Sequence, residues 1–263
     1  MNTPGDEREA LAEGSLISHL MELRDRLLRA VIAIGVAFIP CAYFQDQLFT
    51  LVAQPLIDKM PKGTSMIATS IVAPFMAPLK LSILAAVFLA MPFILYQVWA
   101  FIAPGLYKHE KRFAVPLVVS SIVLFYAGVA FAYKVVFPLM FAFLTSAAPH
   151  GVLVMTDMTD YLDFVLLLFF AFGIAFEIPI ATVLLAATGL VKIETMTKNR
   201  GYIILGIFIV AAFLTPPDAV SQCFMAVPMY MLYEMGIVMS RVLLKNKLTR
   251  AQVDAEKRAA DGG

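Results

Sequence analysis

Charge is scarce in this chain: 15 % of its 263 residues are Asp, Glu, Lys or Arg, against about a quarter in an ordinary soluble domain. A formal net charge of +1 leaves no basic surplus with which to hold a nucleic acid. Cysteine and histidine are scarcer still, with 2 and 3 copies. Cys41 and Cys223 lie far apart inside apolar runs, and His19, His109 and His150 are scattered. No C-x-x-C, H-E-x-x-H or mixed Cys/His spacing is there to grip a metal, and both cysteines read as small buried hydrophobes. The G-x-x-x-x-G-K-S/T loop and the G-x-G-x-x-G turn that cradle phosphates are missing as well. No cofactor and no enzymatic activity are expected, and any work this chain does is powered elsewhere.

Hydrocarbon is what it has in abundance. Apolar residues make up 61 % of the chain, and the mean hydropathy is +0.84, more than a soluble fold of this length can bury. At about 20 apolar residues for each crossing of a core about 30 Å thick, the sequence predicts an all-α, polytopic membrane protein with six transmembrane helices near residues 27–44, 75–103, 113–133, 161–187, 202–214 and 219–238. The fifth is too short to cross comfortably. A leftover apolar stretch, Val135 to Leu144, follows Lys134 and contains Pro138, and it reads as an interfacial or loop-packing segment.

Positive residues are retained on the cytoplasmic side of a membrane. With the N-terminus inside, all of the 20 Lys and Arg except Lys59, Lys62, Lys80 and Lys134 fall in cytoplasmic segments, so both termini are expected in the cytoplasm. No basic leader with a cleavage site precedes the first span, which is therefore expected to be retained. Residues 1–26 read as a cytoplasmic tail followed by a short amphipathic helix, in which Leu16, Leu20, Leu23 and Leu27 recur at helical spacing. Residues 239–263 read as a second cytoplasmic tail, and both tails as mobile. Between the first two spans, Gln45 to Ala73 mixes Pro55, Pro61 and Gly63 with apolar residues, which predicts a compact outer cap. No internal repeat of the kind that builds inverted-repeat transporters is visible.

Pro40, Pro78, Pro92, Pro116, Pro179 and Pro228 lie within or at the ends of the apolar spans. Each removes a hydrogen bond and bends its helix, and bent helices side by side make a concave wall. Prolines are also commoner in membrane helices than in soluble ones.

The charges that break the apolar pattern are the functional pointers. Glu177, within Phe176-Glu177-Ile178-Pro179, falls near mid-span, where a lone charged carboxylate costs at least about 3 kcal/mol. It is therefore carried neutral, reached by water from a concave face, bonded to a neighbouring helix, or used as a proton relay. Glu22 and Glu110 each sit in a field of positive charge at the expected cytoplasmic mouth. Ordinary salt bridges account for each alone, Glu22 with Arg26 being a favourable i,i+4 pair. Their shared placement suggests a second use.

Four strings resemble the TatC family along nearly the whole chain: His19-Leu20-Met21-Glu22-Leu23-Arg24; the run from Ile94 to Glu110, Ile-Leu-Tyr-Gln-Val-Trp-Ala-Phe-Ile-Ala-Pro-Gly-Leu-Tyr-Lys-His-Glu; Phe176-Glu177-Ile178-Pro179; and Thr215-Pro216-Pro217-Asp218. The resemblance implies a core and receptor subunit of a bacterial inner-membrane translocase. Such a subunit binds twin-arginine signal peptides and exports folded proteins on the protonmotive force, with the single-span partners TatA and TatB and with other copies of itself. It implies that Glu22 and Glu110 receive the arginine pair, framed by Arg24, Phe101, Leu106 and Lys108. Pro55 and Met66 would shape the periplasmic cap, and Glu177 would face a pocket for the apolar part of the signal. Thr215, Asp218 and Gln222 would contact partner helices. A proton-coupled small-solute transporter working through Glu177 is the competing reading, supported only by that residue and the prolines. An intramembrane enzyme would need a nucleophile with its base, or a metal cluster, inside the spans.

Overall fold

A chain this apolar has to satisfy its backbone internally wherever it lies in hydrocarbon, and in the computed structural model it does so almost wholly with α-helices. The structure describes residues 4–57, 66–106, 114–146, 156–215 and 217–261. In order the helices are α1 (Pro4–Tyr43), α2 (Gln45–Ile57), α3 (Ala73–Leu106), α4 (Ala114–Phe131), α5 (Phe137–Ser146), α6 (Met158–Ala175), α7 (Ile178–Ala187), α8 (Ile193–Lys198), α9 (Arg200–Leu214) and α10 (Ala219–Asp261). Among the described residues the one β-pairing is a parallel bridge between Ile67 and Asp157. There the Ile67 N–H donates to the Thr156 carbonyl at 3.1 Å and the Met158 N–H to the Ile67 carbonyl at 2.9 Å. The bridge ties the chain after α2 to the residue that caps α6, since the Asp157 carboxylate accepts the N–H groups of Thr159 and Asp160.

Five stretches are long and apolar enough to cross a membrane: Ile17–Tyr43, Ala73–Ile102, Val115–Leu144, Met158–Ala187 and Ala219–Leu243. The fifth crossing expected from sequence, now α9, is a shorter apolar helix of 15 residues. Large apolar side chains on these stretches point outward, with Ile39 70 % and Phe213 85 % exposed, a pattern that needs lipid to cover it.

Three expectations give way, the first being that both cysteines are buried: Cys41 is, whereas Cys223 is exposed. The third crossing does not end at residue 133 with a separate segment after it; a π-helical turn, Ala132–Val136, joins α4 to α5 without a break. Lys134 stands exposed on that turn. Pro138, which lacks a donor, falls directly after it, where the widened coil accommodates the ring. The ends are also helical, α1 starting at Pro4 and α10 running to Asp261. Pro at the first helical position with Asp6 and Glu7 behind it favours a helix start. Residues 239–261 hold good helix formers and neither Gly nor Pro.

The chain forms two compact units, Met1–Gln54 with Ala68–Ile122, and Pro55–Ile67 with Val123–Gly263. Lipid is as apolar as leucine, so helices within each are held by close packing and hydrogen bonds more than by burial of hydrocarbon. In the first unit α1 packs along α3. The Ser82 hydroxyl donates to the Pro78 carbonyl at 2.9 Å and reaches the Cys41 carbonyl at 3.3 Å. The Trp99 indole donates to the Ser121 hydroxyl at 2.8 Å, both buried.

In the second unit glycines set the approach of helices. A Cβ on Gly128 would run into the Phe172 carbonyl, and one on Gly173 would lie 2.5 Å from a Phe125 ring carbon. α10 packs on α7 at Gly236, where a Cβ would meet Thr182 Cβ at 2.8 Å and Pro179 Cα at 3.0 Å. α10 starts at a cap: the Asp218 carboxylate accepts the Ser221 N–H at 2.7 Å. That bond holds the Asp218 carboxyl below the usual carboxylate range, with desolvation working the other way.

Adding a methyl at Gly236 overpacks a rigid contact, so Gly236→Ala is expected to cost about 1–3 kcal/mol and to lower the melting temperature of the detergent-solubilised protein. Gly35→Ala is the control: a Cβ there meets nothing within 4 Å, and the change should be neutral or mildly stabilising. Equal effects at both positions would contradict the packing. Asp218 contributes stability above the unfolded value of about 3.9 and loses it as pH falls through its lowered folded value. The melting temperature should therefore fall more steeply for the native chain than for Asp218→Asn between about pH 5 and pH 3; parallel curves would rule out that cap.

Candidate functional site

Two helices of the first unit build the site. α1 carries His19, Glu22 and Arg26 three and four residues apart, hence on one face, and α3 carries Gln97 and Phe101 four apart. The His19 ring stacks on Phe101 with centroids 4.2 Å apart and planes 19° from parallel. Arg26 links the two helices. Its Nε and Nη2 both donate to Glu22 Oε1, at 2.9 and 2.6 Å, while its Nη1 donates to Gln97 Oε1 at 3.2 Å.

Exposure falls along this chain of groups. The Glu22 side chain is 41 % exposed, that of Arg26 20 %, and Gln97 is 6 % exposed. A carboxylate at the surface is thus backed by a guanidinium and then by a buried amide. Because both Arg26 donors converge on Oε1, the second carboxylate oxygen accepts nothing from Arg26. A guanidinium matches a carboxylate best when two N–H groups meet two oxygens side by side, and that arrangement is not the one Arg26 adopts.

Of the residues expected to frame Glu22, Phe101 meets α1 at His19, three residues before Glu22. Arg24 pairs instead with its neighbour, donating from Nε and Nη2 to Asp25 Oδ1 at 3.0 and 2.8 Å. These side chains are 64 % and 50 % exposed, and so open a pair contributes little. Leu106 closes α3, described by its backbone alone, while Lys108 and Glu110 lie outside the described residues.

Other expected residues fall in the second unit or at its edge. Glu177 stands with Phe176 at the break between α6 and α7, donating its N–H to the Ile174 carbonyl at 2.9 Å and accepting the Ala181 N–H at 2.9 Å. Its Oε1 is buried, and Pro179 in the next turn marks why the helix breaks there. Pro55 lies in α2, described by its backbone, and half-buried Met66 directly precedes the bridge at Ile67. Thr215 is buried and its hydroxyl donates to the Ala211 carbonyl of its own helix at 2.9 Å. Asp218 caps α10, and half-buried Gln222 lies one turn in, its N–H reaching the Asp218 carbonyl at 3.2 Å.

Sequence reasoning missed two features. Gln97 is a buried amide on an apolar span, and its only sign in the sequence is polarity within the run from Ile94 to Ala103. An ion pair also joins α9 to α10: Arg200 Nη2 donates to Glu234 Oε2 at 2.7 Å, Nε lies 2.6 Å from Glu234 Oε1, and the Tyr230 hydroxyl donates to the same oxygen at 2.7 Å. Glu234 interrupts its span as Glu177 does, which was the available signal. Two more bonds continue this tie: Tyr233 hydroxyl to the Met196 carbonyl at 3.0 Å, and Arg241 to the Thr197 hydroxyl at 3.0 Å. Among the described residues no three His, Cys, Asp or Glu side chains cluster to hold a metal.

Comparison with known proteins places this architecture. The family model described as Sec-independent protein translocase protein (TatC) matches residues 18–228. The Sec-independent protein translocase protein TatC of Azotobacter chroococcum mcd 1 is 54 % identical over 222 residues, covering 84 % of this chain and 87 % of that protein. Its counterpart in Escherichia coli (strain K12) is 53 % identical over 226 residues, covering 86 % and 88 %. A crystal structure of the twin-arginine translocase receptor TatC aligns with a TM-score of 0.78 and 37 % identity, covering 85 % of this chain and 98 % of that one. With a family match over most of its length, several apolar helices and a likeness in both sequence and fold, this chain belongs to the TatC family of twin-arginine, Sec-independent translocase subunits, multi-pass membrane proteins of protein transport.

Proposed function

We propose that this chain is the core subunit of its translocase that receives signal peptides, and that Glu22 is where an arginine of the twin pair docks. The observation that carries the reading is the half-exposed Glu22 carboxylate, which in the folded protein already engages a guanidinium, that of Arg26. A carboxylate in a setting that binds one guanidinium has the chemistry to bind another. Glu110 is the second carboxylate of the pair, with Phe101, Leu106, Lys108 and Arg24 framing the two. A planar guanidinium offers a fork that a carboxylate accepts through two bonds, whereas an ammonium is a point charge, so paired arginines are preferred over paired lysines.

The chain lies in the bacterial inner membrane with six crossings, both termini in the cytoplasm, and a periplasmic cap shaped by Pro55 and Met66. Its helices are bent at their prolines, and Glu177 faces the pocket that takes the apolar part of the signal. Thr215, Asp218 and Gln222 serve the single-span partners TatA and TatB. Hydroxyl and amide groups facing a neighbouring helix act as glue in hydrocarbon. Several copies assemble, and the protonmotive force drives export of folded cargo. The small-solute reading keeps one observation in its favour, the helix break at Glu177, and that feature serves a peptide pocket equally well.

α9 adds a mechanical element. Its 15 residues reach only about 22 Å as a helix, and we propose that the bilayer thins beside it, easing the passage of bulky cargo.

Export is the direct test. In cells lacking their own TatC, this chain should restore export of a folded reporter bearing a twin-arginine signal. Glu22→Ala, Glu110→Ala and a two-lysine signal should each reduce export by about tenfold or more, the cost of a lost charge-assisted fork. Undiminished export with both glutamates replaced would refute the docking role. For thinning, spin labels along α9 should report a hydrocarbon layer several ångströms narrower than along α3; equal thickness would remove the proposal.

A further inference from the structure

Arg26 raises a problem for any peptide that docks on Glu22. It is tethered one helical turn away, so it is present at Glu22 at an effective concentration on the order of millimolar or higher. It also bears the same chemical group as the ligand. We propose that Arg26 is an internal competitor for the arginine-binding carboxylate: in the resting receptor its guanidinium occupies Glu22, and a signal-peptide arginine has to displace it, leaving Arg26 held by Gln97. The inference rests on the signal-peptide reading of Glu22 and deepens it.

Three observations carry it. First, the hold is strong enough to compete: Nε and Nη2 lie 2.9 and 2.6 Å from Glu22 Oε1. Second, the hold is incomplete. Both donors share one oxygen, so an arriving guanidinium that meets Oε1 and Oε2 side by side forms the better-matched fork. Third, the displaced group has somewhere to go. Arg26 Nη1 already donates to Gln97 Oε1 at 3.2 Å. The Arg26 side chain also keeps 20 % of its surface in contact with solvent, so on release from Glu22 it retains the Gln97 bond and partial hydration. Gln97 is itself 6 % exposed on α3, and this buried amide is what keeps Arg26 in place during the exchange.

Among the described residues, the side chains that α1 and α3 bring beside this pair are His19, on the same face of α1 and stacked on Phe101, and Gln97, which Arg26 bonds. Of these described residues, neither is a carboxylate that could replace Glu22 as the partner of Arg26. Competition of this kind lowers the affinity of every cationic ligand by the same factor. It therefore keeps weak or single cations off the receptor and hastens release, while the choice of arginine over lysine stays with the carboxylates. The direction of the effect separates a competitor from a scaffold: removing a competitor tightens binding, and removing a scaffold weakens it.

The experiment measures equilibrium binding and release of a fluorescent twin-arginine signal peptide on the full chain in detergent micelles, for the native protein, Arg26→Gln, Arg26→Lys, Glu22→Gln and the double variant Glu22→Gln/Arg26→Gln. Arg26→Gln should bind about two- to fivefold tighter and release correspondingly more slowly, the factor expected for losing a partly exposed i,i+4 ion pair. Arg26→Lys should fall between it and the native protein, which keeps the test open should the glutamine variant fold poorly. In the Glu22→Gln background Arg26→Gln should gain nothing, because the contested carboxylate is gone. Unchanged or weaker binding by a folded Arg26→Gln overturns the proposal and makes Arg26 part of the scaffold. An equal gain in the Glu22→Gln background overturns it too, reducing Arg26 to a distant repulsive charge. If Glu22→Gln alone binds as the native protein does, the docking role of Glu22 falls, whatever Arg26 does.

Discussion

Hydrocarbon offers no hydrogen bonds, and this constraint governs nearly every feature of the chain. It forces the backbone into helices, and it takes away the ordinary gain from burying leucine against leucine. What then holds helix to helix is fit. Gly128, Gly173 and Gly236 let neighbours approach to a distance no side chain would allow, and a few hydroxyl and indole groups, such as Ser82 and Trp99, bond across the gap. The same constraint decides where polar groups sit. Glu234 is tied to Arg200 and Tyr230, and Asp218 is spent on the first turn of α10.

Glu22 is the instructive exception, because it combines a partner with access to water. A carboxylate wholly satisfied by its own chain would be structural, and one with no partner in a positive field would attract any cation. Arg26 leaves it between these extremes: engaged by Arg26 through one oxygen only, and backed by a buried amide. Such intermediate strength suits the receptor role proposed above, in which a ligand is held and later let go. Within the first unit the close packing of α1 on α3 sets this balance, since Glu22 and Arg26 belong to one helix and Gln97 and Phe101 to the other.

Much of this was legible in the sequence, for identifiable reasons. Apolar runs announce spans because a window of about 20 residues averages over local irregularity. The third span was cut short because Lys134 and Pro138 look like terminators; the π-turn that carries the helix past them has no residue signature of its own. The helical ends were hidden because polarity resembles disorder, although the helix-forming composition of residues 239–261 was there to read. At the site, the run before the first span pointed to Glu22 and the long run from Ile94 pointed to Phe101. Arg24 belongs to the same run, and in the folded protein its guanidinium donates to Asp25. Gln97 and Gly236 escaped because their importance depends on a helix far away in the chain, and no local pattern encodes that partner.

The central claim is spatial: an arginine of the signal peptide meets the face made by α1 and α3 at Glu22. The most direct measurement places a photo-crosslinking residue beside the arginine pair of a signal peptide and maps the adducts on this chain by mass spectrometry. The account predicts adducts between His19 and Arg26 of α1 and between Gln97 and Phe101 of α3, diminished by Glu22→Gln. Adducts confined to other segments, with the same yield when Glu22 is replaced, would contradict it.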